Sequence, residues 1–155
     1  MSTPLHLSRA IELARASVAR GGGPFGAVIT RGDEVLAEAA NAVVPNHDPT
    51  AHAEIQAIRA ACAKLGTHVL EGCELWSSCE PCPMCLSAAW WARLERVHFA
   101  ADRDQAAAAG FDDRALYEEV ATPLDARKLP IVHHPGESGQ LPFDDWRALE
   151  DRAEY

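Results

Sequence analysis

The chain has 155 residues, 48% hydrophobic and 24% charged, with 14 Lys and Arg against 23 Asp and Glu for a net charge of -9. That length predicts one domain, residues 1–155, large enough to bury a core without disulfide staples, and the composition excludes disordered and fibrous classes. The acidity argues against a protein whose main task is to hold a nucleic-acid backbone or an anionic membrane surface, because both need basic residues against phosphates; only a local basic patch would escape that argument.

Thr3-Pro4 reads as an N-cap followed by proline at the first helical position, and a helix is predicted from there to about Arg20, with Leu7, Ile11, Ala14 and Val18 on one face. Gly21-Gly22-Gly23-Pro24 stops it. Residues 25–30 read as a buried strand, Arg31-Gly32-Asp33 as a turn and residues 35–40 as the returning strand of a hairpin, followed by a loop over 43–48. Asp48 is a good N-cap, Pro49 suits the first helical position, and Gly66 ends a run in which Ala51, Ile55, Ile58, Cys62 and Leu65 form a helical stripe. Strands are predicted over 73–78, 96–101 and 131–133, with helices over 83–92, 112–120 and 143–153. Helices regularly follow strands, which predicts one sheet covered by helices on both faces. Trp76, Trp90 and Trp146 read as core.

No apolar stretch approaches the ~20 residues of a membrane span, and residues 1–20 show no secretory pattern. The five cysteines, Cys62, Cys73, Cys79, Cys82 and Cys85, are odd in number and partly clustered. Both features point to a reducing, cytoplasmic compartment and to metal or catalytic roles rather than disulfides.

Two segments carry chemistry. His52-Ala53-Glu54 lies at the opening of one predicted helix and Pro81-Cys82-Pro83-Met84-Cys85 at the opening of the next. One imidazole and two thiolates make a zinc ligand set, and three ligands leave a fourth position for water, as a catalytic zinc requires. Cys82 and Cys85, three apart at a helix start, can turn both sulfurs to one point, where the helix dipole favours thiolates. Glu54, two residues from His52, points elsewhere on a helix and reads as the acid/base beside the metal rather than a ligand. A Cys-x-x-Cys alone would also suit a redox motif or a structural zinc half-site, and Cys79, Cys82 and Cys85 space like part of an iron–sulfur run, but no fourth cysteine follows.

The segments Asp48-Pro49-Thr50-Ala51-His52-Ala53-Glu54 and Ser78-Cys79-Glu80-Pro81-Cys82-Pro83-Met84-Cys85 resemble the cytidine/deoxycytidylate deaminase superfamily, in its purine- and tRNA-deaminating branch. Gly22-Gly23-Pro24-Phe25-Gly26-Ala27-Val28, Ala109-Gly110-Phe111-Asp112-Asp113 and the terminal Glu154-Tyr155 narrow the likeness to guanine deaminases. The resemblance implies an α/β fold, a three-layer α/β/α sandwich with a five-stranded mixed sheet, and hydrolytic deamination of guanine to xanthine and ammonia. It implies one zinc ion held by His52, Cys82 and Cys85, and Glu54 and Asp113 as proton carriers. Asn41 and Tyr155 would bind the purine, with Phe25, Ala53 and Trp91 lining its pocket. The implied partners are a small purine base and a second copy of the chain, in a homodimer that exchanges its C-terminal segment, with neither nucleic acid nor membrane.

Plainer readings stand beside these. Asp112 or Asp113 would also serve as a helix cap, Asn41 as a loop former, and Tyr155 as a frayed end. His47 lies near the zinc helix, facing either substrate or solvent. The branch leaves tRNA adenosine deamination open, as well as deamination of another small base such as cytosine, a pterin or an aminotriazine. A non-catalytic zinc scaffold is the rival from another class, and Glu54 argues against it.

Overall fold

Residues 4–153 are described by a computed structural model and fall into two units, Met1–Tyr117 and Glu118–Tyr155. The readings placed on Thr3, Glu154 and Tyr155 lie outside the described residues.

The first unit is built on a four-stranded mixed sheet: β1 (Gly26–Arg31), β2 (Glu34–Ala40), β3 (Cys73–Cys79) and β4 (Arg96–Ala101), in the order β2-β1-β3-β4. β1 runs antiparallel to β2 and to β3, whereas β3 and β4 are parallel. A parallel pair needs a crossover, and α4 (Pro83–Trp91) supplies it. Period-2 alternation then sorts the side chains. Ala27, Ile29, Cys73 and Leu75 join a core with Ala57, Ile58 and Ala61 of α3 (Ala53–Leu65) and Ala89 of α4.

The other face receives α1 (Leu5–Ala19), and Gly26 determines how closely. A Cβ on Gly26 would lie 2.2 Å from the Ala10 carbonyl oxygen and 2.7 Å from the Ala14 nitrogen. Backbone therefore meets backbone, and the buried stripe of α1 is Leu7, Ala10, Ala14 and Ser17. It is rotated toward small residues from the expected Leu7, Ile11, Ala14 and Val18, and Val18 is exposed.

Asp48 and Pro49 do not open α3. The Asp48 carboxylate accepts hydrogen bonds from the Thr50 amide at 2.8 Å and the Thr50 hydroxyl at 2.7 Å, closing a local turn that competes with helix. The helix starts at Ala53, with His52 extended at its N-cap, and ends as expected at Gly66, whose φ is +67°. The expected loop over 43–48 contains one helical turn, α2 (Val43–Asn46). Trp90 and Trp146, 74% and 37% exposed, are not core. Two further helices follow, α5 (Arg103–Ala108) and α6 (Arg114–Ala121).

The second unit holds the end of α6, two short 3-10 turns and α7 (Leu141–Ala148). Arg127 closes the C-terminus of α6 by donating to the carbonyls of Val120 and Thr122 at 3.1 and 2.9 Å. The fifth strand expected over 131–133 is not formed. Pro130 and Pro135 bracket that apolar run, and proline neither donates to a ladder nor continues one. The closing helix starts earlier and stops sooner than the expected 143–153, because Pro142 suits its first turn and Leu149 is extended. None of residues 118–153 is buried. No helix among the described residues is long and apolar enough to cross a membrane.

Candidate active site

Two helix starts build the centre. His52 is the N-cap of α3 and Glu54 its second residue; Cys82 is the N-cap of α4, Pro83 takes the first helical position, and Cys85 lies in the first turn. His52 Nδ1 stands 3.6 Å from Cys82 Sγ and 3.5 Å from Cys85 Sγ. Zinc bonds of about 2.3 Å to sulfur and about 2.0 Å to nitrogen, at a tetrahedral angle, put such donors about 3.5 Å apart. The three residues therefore fit a zinc ion. Among the described residues no other set of three His, Cys, Asp or Glu converges this way.

The hydrogen bond from Cys85, helped by His52, pushes the Cys82 thiol down to about 4; Cys85, which keeps the shared proton, is pushed up. The hydrogen bond to Cys82 also raises His52. One thiolate is thus available at neutral pH, at a helix N-terminus that stabilises it.

Glu54 is only 5% exposed, and burial raises its carboxyl above the ordinary value. The Ser77 hydroxyl donates to its Oε1 at 3.3 Å. A carboxyl raised above its ordinary value holds a proton more readily, which suits a group that must take one and return it. Asp113 is half-buried and also raised, first by burial and then by the charge of Cys82.

A cavity of about 420 Å³ opens over these groups, and His52, Glu54, Phe25, Asn41, Phe111 and Asp113 line it. That volume falls in the usual range of small-molecule pockets. Phe25 and Phe111 meet edge to face, with centroids 4.9 Å apart and planes at 86°. Asn41 Oδ1 accepts from the Val43 amide at 3.3 Å, and a Cβ on Gly23 would press on the Asn41 amide at 3.1 Å. Glycine there leaves that amide its place.

The structure thus brings together His52, Glu54, Cys82, Cys85, Asp113, Asn41 and Phe25. The capping alternative falls on the neighbour: Asp112 accepts from the Arg114 amide at 3.0 Å, while Asp113 lines the cavity. Two residues expected to bind substrate, Ala53 and Trp91, do not line this cavity. Ala53 lies wholly in the core cluster. Trp91 is exposed on a separate groove with Leu86 and Trp90, because six residues beyond Cys85 means about 600° of helical rotation. His47 is exposed and ends α2 in a left-handed conformation. Sequence reasoning gave no role to Phe111 or Glu80, both of which line the cavity. The aromatic in the Gly110-Phe111-Asp112-Asp113 segment was the signal for Phe111.

Fold and ligand set together define a zinc-binding deaminase domain, and the chain belongs to the cytidine and deoxycytidylate deaminase family, whose zinc-binding region matches residues 3–101. The chain is 46% identical to the guanine deaminase of Bacillus subtilis, covering 100% of both chains. The X-ray structure of that enzyme superposes with a TM-score of 0.96 over 100% of this chain and 99% of that one. A tRNA-specific adenosine deaminase of Aquifex aeolicus is 43% identical over 65% of this chain and 67% of its own. A chain solved in complex with 2,6-diaminopurine, 42% identical, superposes with a TM-score of 0.67 over 70% of this chain and 61% of that one.

Proposed function

We propose that the protein deaminates guanine hydrolytically, giving xanthine and ammonia. The full-length likeness to the Bacillus subtilis guanine deaminase, 46% over both chains, carries this reading. The net charge of -9 supports a neutral free base over an RNA loop as substrate.

Zinc would be held by His52, Cys82 and Cys85 and would supply a Lewis acid that lowers the pKa of water. Glu54 takes the proton of the attacking water and delivers it to a ring nitrogen of guanine as the oxygen adds to C2. Glu54 then takes the remaining proton from the added hydroxyl and, assisted by Asp113, passes it to the C2 amino group, which leaves as ammonia while the C2 carbonyl of xanthine forms. Phe25 and Phe111 give the ring apolar walls, and the Asn41 amide meets a polar edge.

The reading extends to a cytoplasmic homodimer acting as one domain per chain, with the C-terminal segment exchanged and Tyr155 closing the partner's site. Support comes from the second unit, which buries none of its described residues and leaves Leu129, Val132 and Phe143 exposed. Such apolar surface calls for a covering partner. Sedimentation as a monomer would remove the exchange.

The activity is tested by incubating purified, zinc-loaded protein with guanine, adenine, cytosine, cytidine and tRNA, and following ammonia. Release from guanine is expected. Its absence would sink the assignment, and inosine formation in tRNA would replace it with RNA editing.

A further inference from the structure

Cys82 and Asp113, which both line the cavity, are tied together by side chains outside the ligand set. Glu80, two residues before Cys82, is gripped by Arg103: its Oε2 accepts from the Arg103 amide at 3.0 Å and its Oε1 from Arg103 Nε at 3.1 Å and from Nη2. Arg103 is itself held, because it opens α5. There Asp102 accepts from the Gln105 amide at 2.8 Å, and the Gln105 side chain accepts from the Asp102 amide at 3.0 Å, a capping box that fixes the first turn. The Arg103 guanidinium carbon then lies 4.0 Å from the centroid of the Tyr117 ring.

Tyr117 completes the link. Its hydroxyl donates to the Pro81 carbonyl, next to Cys82, at 2.8 Å. Its amide donates to the Asp113 carbonyl at 3.1 Å, so it sits one helical turn beyond Asp113. One side chain thus spans from the peptide before a metal ligand to the helix that carries the second carboxylate.

We propose that Glu80, Arg103 and Tyr117 form a brace in which Tyr117 is a positioning residue, setting Asp113 against the Cys82 ligand and slowing metal loss. The deamination arm of this inference rests on the function proposed above; the metal arm does not. A ligand whose flanking peptide is pinned samples fewer orientations away from the metal, and loss of an outer partner commonly costs 10- to 100-fold in metal affinity or activity.

The test is Tyr117→Phe in the zinc-loaded protein, which keeps the ring on Arg103 and removes only the hydroxyl. Zinc release to a colorimetric chelator should become about tenfold faster, and kcat on guanine should fall about tenfold with KM unchanged. Wild-type values for either quantity would overturn the proposal, as would a lowered thermal midpoint with release and kcat both unmoved. Should Tyr117→Phe fail to fold, Arg103→Gln, which frees Glu80, must show the same two changes. If the wild-type chain does not deaminate guanine, that reading fails on its own, and the zinc-release rate, which needs no substrate, decides on the brace.

Discussion

The two units of the chain solve opposite problems. The first buries Val28, Ile29, Leu70 and Leu75 completely and stands both ligand-bearing helix starts on that core. The second buries nothing among its described residues and exposes Leu124, Leu129, Ile131, Val132 and Phe143. Donor atoms must be held to tenths of an ångström, so metal chemistry belongs on packed elements. A piece as short as residues 118–153 has too little surface to bury for a core of its own. The family's zinc-binding region, residues 3–101, falls within the first unit. The division predicts that changes in the core and site of the first unit damage chemistry or folding outright, whereas changes at the C-terminal end alter substrate handling.

The largest effect is expected at Glu54. Glu54→Gln should lower turnover by about 10²-fold or more while zinc content and unfolding midpoint stay near wild type, the scale for losing acid/base catalysis. Metal analysis beside initial rates checks it, and undiminished turnover removes Glu54 from the chemistry. Next comes Gly26→Ala, at the contact between the sheet and α1. The added carbon meets the backbone of α1, which cannot swing aside like a side chain, so overpacking should cost about 1–3 kcal/mol or more in urea unfolding. A neutral result would mean that α1 slides freely on the sheet, and the rigidity assigned to the first unit would be wrong. A milder change is expected from deleting Tyr155: KM for guanine should rise while zinc content and melting stay put. Unchanged kinetics would make the terminal residue a frayed end and leave substrate closure to Phe25 and Phe111.

How much of this was legible in the sequence depended on the range of the interaction. His52, Glu54, Cys82 and Cys85 were readable because metal chemistry demands particular residue types at helix starts, and both starts are local patterns. All four sheet strands of the first unit were legible to within a residue or two, since alternation is local as well. Asp48 misled because one carboxylate can cap either a helix or a turn, and Thr50 decided for the turn. Residues 131–133 misled because apolar content alone does not make a strand; the prolines on both sides were visible and should have outweighed it. Trp91 and Trp90 could not be placed without the rotation of α4. The Glu80–Arg103–Tyr117 brace joins residues far apart in sequence, and no local pattern announces it.

The smallest effect concerns the surface of the first unit. Arg9 on α1 donates from Nε and Nη2 to the two carboxylate oxygens of Glu38 on β2, at 2.8 and 2.9 Å. The hydrogen bond from Arg9 holds the Glu38 carboxyl below its ordinary 4.5. A depressed carboxyl pKa adds stability above the unfolded value, and that contribution is lost as pH falls through the folded one. Glu38→Gln should therefore lower the unfolding midpoint slightly at neutral pH, and the difference should vanish once the wild-type carboxyl is protonated below that range. Because the pair is solvent-exposed, the effect should also shrink with added salt. A difference that persists in acid would mean that Glu38 works through packing of α1 on β2, which would extend the steric logic of Gly26 to the rim of the sheet.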